Sequence, residues 1–201
     1  MPRYSEKQKA ALDALMKDEV HSHASKIIKE EGVGSLTMER LATEVGVSRG
    51  TLYNYFDDRD AVLDYVEERT FGPVLAAVQE VATSDLRPEE KLTQIGEWIF
   101  TAIYQDRALV VALVPNKFSD ANIEKKNRRH ASALSAIETV VQQGMDAGIF
   151  RDLPSRRVSE TFLGTVAGVI DSMALRGEFL PAEEVVPTMM AIFLRGLQRN
   201  S

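Results

Sequence analysis

The chain has 201 residues, room for one domain and a smaller second one, and carries 24 lysines and arginines against 30 aspartates and glutamates, a formal charge of −6. That balance excludes polyanion binding through the whole surface, so any nucleic-acid contact has to come from a local patch. The lack of cysteine removes disulfides, thiolate zinc sites and cysteine nucleophiles, and no stretch reads as a secretory leader or as the roughly 18 apolar residues of a span, which predicts a cytoplasmic protein with no membrane partner.

Apolar residues recur at three-and-four spacing almost throughout and alternating strand patterns are missing, so the chain is read as all-α. Val20, Ala24, Ile27 and Ile28 make the first buried stripe, which Gly32 and Gly34 close. Thr37 caps a short helix with Leu41, Ala42 and Val45 on its inner face; Arg40 stands where a capping-box glutamate would, and Gly46 ends the helix. Ser48 caps the next, "SRGTLYNYF" from 48 to 56. There Leu52 and Phe56 share a face that Val45 and Val47 help to bury, while Arg49 with Tyr53, and Thr51 with Tyr55, form outward stripes. Exposed tyrosines beside an arginine and two hydroxyl residues mark a surface made to meet something. Helix, glycine-containing turn and second helix make the helix-turn-helix shape. Asp57 and Asp58 stop the second helix and cap a third, with Arg59 near its start and Val62, Leu63 and Val66 along its apolar side. The expected division is a three-helix domain over residues 1–66, with a charged leader over 1–18, and a second helical domain over 67–201.

In the second domain Pro88 opens a helix to about Tyr104, Pro115 ends one running from about Arg107 to Val114, and a long helix spans about Ile123 to Ala147 before Gly148. On the long helix Ile123, Asn127, His130, Leu134, Ile137 and Val141 follow one stripe. Its polar members are either the solvent-reaching end of an apolar face or part of a ligand cavity, in which Asn127 and His130 orient a small molecule against Trp98 and Tyr104. Trp98 serves equally well as core filler. Residues 162–175, "FLGTVAGVIDSMAL", are apolar almost all round with Asp171 the only charge, and such a helix must be covered on every side. The last helix, about Val185 to Gln198, is also too apolar for one narrow stripe, and Pro187 is expected in its first turn. Gly164 and Gly168 permit a close approach, within the chain or to a second copy.

The segment "GVGSLTMERLATEVGVSRGTLYNYFDDRDAVL" resembles the DNA-binding segment of TetR-family transcriptional regulators, with Thr37, Leu41, Ala42, Gly46, Val47, Ser48, Thr51, Leu52, Tyr53, Tyr55, Phe56 and Leu63 matching at contiguous spacing. The similarity covers about residues 20 to 66; beyond it only the helical layout matches. His21 and His23 depart from the small or aliphatic residues usual there, Arg59 replaces a lysine, and the leader is unusually long. The resemblance implies that the helix from Ser48 to Phe56 enters the major groove of a double-stranded operator, with Arg49 and Thr51 nearest base edges and Thr37, Tyr53, Tyr55 and Arg59 on phosphates. It also implies a homodimer matched to a palindromic operator, in which the helices bearing Gly164, Gly168, Phe193 and Leu197 pair with their copies. A small-molecule effector, repression as the default and no cofactor complete the expectation. Residues 1–60 hold nine lysines and arginines against eleven aspartates and glutamates, so the positive field has to be narrow.

Two other classes compete. An enzyme would need a site, yet no nucleophile elbow, HExxH, phosphate loop or dinucleotide fingerprint occurs, and a triad would require His130 with an unmarked serine. No catalytic residue is assigned, and no metal site either, since His21 and His23, two apart on a helix, point nearly opposite ways. A helical adaptor would instead use the tyrosine face to bind protein; weak dependence on salt would distinguish it from a DNA binder.

Overall fold

Capping chemistry sets where the helices begin. In the computed structural model, which describes residues 5–113 and 123–199, the Ser5 hydroxyl accepts from the Gln8 amide and the Gln8 side chain accepts from the Ser5 amide. This box starts α1 (Glu6–Glu31) well ahead of Val20, its first buried residue, so the charged leader is the continuation of a core helix. Thr37 opens α2 (Met38–Val45) by accepting from the Arg40 amide at 3.2 Å. Gly46 closes it in the left-handed region at φ 78, where a side chain would be strained. Ser48 caps α3 (Arg49–Tyr53), which is shorter than the sequence suggests because the Tyr55 and Phe56 amides both turn back onto the Leu52 carbonyl.

Asp58 accepts from the Ala61 amide at 2.8 Å at the start of α4 (Arg59–Thr83). This helix runs on through Pro73, past the expected boundary at residue 66. Five further helices follow among the described residues, with no strand: α5 (Pro88–Gln105), α6 (Arg107–Leu113), α7 (Ile123–Asp146), α8 (Ser155–Arg176) and α9 (Ala182–Leu197). Val114 and Pro115, expected to end α6, lie outside the described residues.

The described chain forms two compact units. One takes residues 5–71 and 108–113, the other 72–107 and 123–199. The sequence division at 66/67 thus lies five residues before the structural one, and the segment after Arg107 belongs with the first unit. That unit closes on Val20, Ala24, Ile27 and Ile28 from α1, Leu41 and Ala42 from α2, Leu52 and Phe56, and Val62, Leu63 and Val66 from α4. Leu109 and Leu113 of α6 complete the same core.

The second unit packs α5 against α9 and α7, and α7 against α8, around Phe100, Ile137, Phe150 and Phe162. The Phe150 ring lies on Gly144 of α7, where an added Cβ would stand 2.1 Å from a ring carbon. Phe150 also pairs with Gln198 in an isolated antiparallel bridge that ties the end of α9 to the turn after α7. Pro181 stands at the cap of α9 with Glu183 and Glu184 in its first turn, so Pro187 sits deeper in the helix than expected.

By length and composition alone α8 is apolar enough to cross a membrane. It is not covered on every side, contrary to expectation: Ser159, Phe162, Val166 and Met173 are buried, while Gly164, Gly168 and Leu175 are exposed.

Candidate nucleic-acid interface

The site is built on two helices held at a fixed angle by one glycine turn. The Val47 amide donates to the Ala42 carbonyl at 2.9 Å and Leu41, Ala42 and Leu52 are buried, so the outward side chains of α2 and α3 stand on rigid supports. Thr37, Ser48, Arg49 and Tyr53 are exposed, whereas Thr51, Tyr55 and Arg59 are half-buried.

Six of these seven groups already have local partners. Ser48 Oγ accepts from the Thr51 amide at 3.0 Å and lies 2.8 Å from the Thr51 hydroxyl. Thr37 Oγ1 is spent as a cap acceptor, which leaves its proton free to donate. Arg49 Nη2 pairs with Glu39 Oε1 at 2.6 Å, joining α3 to the first turn of α2. Arg59 Nη2 reaches the Val33 carbonyl at 3.5 Å. The Tyr55 hydroxyl donates to Asp13 Oδ1 at 3.1 Å, and this bond, with some burial and the adjacent negative charge, holds the phenol above its ordinary range. Of the seven residues expected to touch DNA, Tyr53 presents a free-standing ring at 43 % exposure.

Arg40, which lacks the capping-box role, forms a two-point pair with Glu31 that fastens α2 to the end of α1. The hydrogen bond from the guanidinium holds the Glu31 carboxyl below the usual carboxylate range. Glu39 and Asp13 are neighbours of the expected contact residues that the sequence did not reveal. Ten positions that include the Gly46 turn separate Glu39 from Arg49, and 42 separate Asp13 from Tyr55, so no helical periodicity links either pair.

In the second unit the four residues expected to hold an effector stand at the surface. Trp98 is 49 % and Tyr104 38 % exposed, the Arg107 guanidinium lies 5.7 Å from the Tyr104 ring centre, and Asn127 and His130 are exposed. None of the four lines the groove of about 810 Å³ between α8 and α9, whose walls include Thr161, Thr165, Val169, Ile192 and Phe193. Phe193 also packs edge-on against Phe162 at 5.2 Å, and Leu197 is buried in the unit's own core. A Cβ at Gly164 or Gly168 would meet nothing within 4 Å. Among the described residues no group of three or more His, Cys, Asp or Glu could hold a metal ion.

The model for bacterial regulatory proteins of the tetR family matches residues 22–66. An HTH-type transcriptional regulator of Staphylococcus aureus is 34 % identical over 58 residues, a match that covers 29 % of this chain and 31 % of that protein. The HTH-type transcriptional repressor KstR2 of Mycolicibacterium smegmatis is 24 % identical over 196 residues, covering 93 % of each. Among solved structures, the transcriptional regulator FadR from Bacillus subtilis in complex with stearoyl-CoA shares the fold at a TM-score of 0.77 and 18 % identity, covering 89 % of this chain and 98 % of that one.

Proposed function

We infer that this chain, which belongs to the tetR family of bacterial regulatory proteins, is a ligand-responsive repressor that leaves a palindromic operator when a small molecule binds. The observation that carries the reading is the outward face of α2 and α3, where Thr37, Ser48, Arg49 and Tyr53 are exposed on a buried, glycine-turned support. With eleven acids against nine bases in residues 1–60, affinity has to come from a few well-placed donors, so selectivity is favoured over indiscriminate binding. Selection from a random DNA pool should return an inverted repeat, and binding should fall steeply with salt. A pool that yields no enriched sequence, together with salt-insensitive capture of a protein, would favour the adaptor instead.

The inverted repeat requires two copies of the reading unit. The apolar side of α8 and α9, with open space over Gly164 and Gly168 and Ile192 at 72 % exposure, is the face we assign to the second copy. Phe193 contributes to that face through its groove edge, whereas Leu197 supports it from inside.

The effector has to bind DNA-competent and DNA-incompetent forms unequally, since a ligand shifts an equilibrium only through such a difference. Long-chain acyl thioesters are the first class to test, because the FadR structure of like fold holds stearoyl-CoA. Trp98, Tyr104, Asn127 and His130 are our candidate contacts, and their exposure leaves them free to be covered by a ligand. Stearoyl-CoA should raise the thermal midpoint of the wild type and raise it less in His130→Phe, with operator affinity of the unliganded variant unchanged. Equal loss of operator binding in that variant would make His130 a structural residue. Binding to an operator puts the protein's work in the cytoplasm.

A further inference from the structure

We propose that Asp13 is a positioning residue for the recognition segment: by holding the Tyr55 phenol it fixes how α3 is turned about its own axis, and so sets the aim of Arg49 and Thr51. The proposal rests on the reading of α3 as the base-contacting helix, and it makes Tyr55 part of the support beneath that helix in place of a phosphate contact. α3 is five residues long, too short to hold a helical course unaided. Its start is tied by the Gly46 turn and the Ser48 cap. Leu52 and Phe56 bury its inner side, but apolar contacts are non-directional and leave rotation the softest freedom of so short a helix. The hydrogen bond from the Tyr55 hydroxyl to Asp13 Oδ1, at 3.1 Å, is directional and charge-assisted, and it joins two half-buried residues 42 positions apart. A brace needs a fixed end. Met16, three residues after Asp13, packs against the core of the same unit, and Asp18 pairs with Arg69 of α4 at 3.0 Å, so α1 is anchored just beyond the carboxylate.

A rotation of about 10° carries a group about 6 Å from a helix axis through about 1 Å. That is twice the roughly 0.5 Å that a recognition site tolerates. An α3 free to turn has to be ordered when it binds. The cost falls on the operator complex, where base edges admit one orientation, and hardly at all on a complex held by phosphates, which accepts many. The Asp13 charge repels DNA of every sequence, so it cancels from the ratio of operator affinity to scrambled-DNA affinity. The bond to Tyr55 does not cancel, because it removes an ordering cost from one of the two complexes alone.

The test uses the full chain, the operator selected from a random pool and a scrambled duplex of the same length, at one salt concentration. The ratio of the two affinities is the readout, since a loss of folded protein lowers both alike and leaves it unmoved. Asp13→Ala and Tyr55→Phe should each reduce the ratio about three- to tenfold, the worth of one hydrogen bond, and the double variant should reduce it no further. Asp13→Asn keeps an acceptor for the phenol and removes the charge; it should bind both DNAs more tightly and hold the wild-type ratio within about twofold. An unchanged ratio in Asp13→Ala overturns the proposal, and so does a fall in Asp13→Asn as large as in Asp13→Ala. Tighter operator binding in Asp13→Ala, with an equal loss on both DNAs in Tyr55→Phe, also overturns it and returns Tyr55 to a phosphate. An unchanged ratio in Arg49→Ala overturns the base-contact reading beneath the proposal, and a wild-type ratio near one overturns the operator reading altogether.

Discussion

A phenol that donates to a carboxylate cannot give the same proton to a phosphate, so the part Tyr55 plays depends on Asp13. Tyr53, four-tenths exposed, has no such commitment. Tyr53→Phe should weaken binding to all DNA sequences alike, by about 0.5–1.5 kcal/mol for one lost hydrogen bond; a changed sequence preference would contradict a phosphate role. The Asp13 bond has a signature at alkaline pH. Because the folded phenol titrates above its ordinary value, the stabilisation is complete below the ordinary phenol range and is lost as pH rises through the higher, folded value. Ultraviolet titration should find one phenol ionising above the ordinary tyrosine range, and Asp13→Asn should bring it back towards that range. Leu52 and Phe56 were legible in the sequence from their spacing of four, and their burial follows from it. Asp13 and Glu39 were not, because charge pairs across a fold leave no period in the chain.

Helix existence was similarly legible and helix extent was not. The stripe from Val20 to Ile28 identifies α1, but the earlier turns lack buried residues and carry no apolar pattern; the capping box at Ser5 is what marks their start. α4 runs past the expected boundary at residue 66, because its backbone continues as helix through Pro73 to Thr83, an extent that the apolar side Val62, Leu63 and Val66 does not mark. At the acid end, the Glu31 carboxyl, held low by Arg40, contributes stability above the usual carboxylate range that is lost as pH falls through its lowered value. Glu31→Gln should therefore flatten the acid limb of the unfolding curve. The Phe150 ring covers Gly144 of α7 and leaves no room for a Cβ there. Gly144→Ala should cost about 1–3 kcal/mol through displacement of that ring, despite the better helix propensity of alanine. Denaturant unfolding would reveal it, and a midpoint at or above that of the wild type would show that the ring can move.

For the whole molecule, the all-helical layout with an amino-terminal helix-turn-helix follows from period and caps alone, while the uncovered side of α8 does not, because composition cannot tell a helix buried in its own unit from one awaiting a partner. Gly168→Glu separates the two. With nothing within 4 Å of a Cβ there, the single chain should fold with unchanged helix content, sediment as a monomer, and lose about 100-fold or more in operator affinity once two-site binding is gone. A dimeric variant with full affinity would move the interface elsewhere.

Leu109 and Leu113 give the reading unit a history as well as a shape. Its core includes two leucines that leave the ribosome only after the segment from residue 72 to 107, which folds into the other unit. At ordinary synthesis rates that interval lasts about 2–8 s, during which the helix-turn-helix exists with its hydrophobic interior unfinished. A fragment ended near residue 71 should therefore be less stable than the same residues in the full chain.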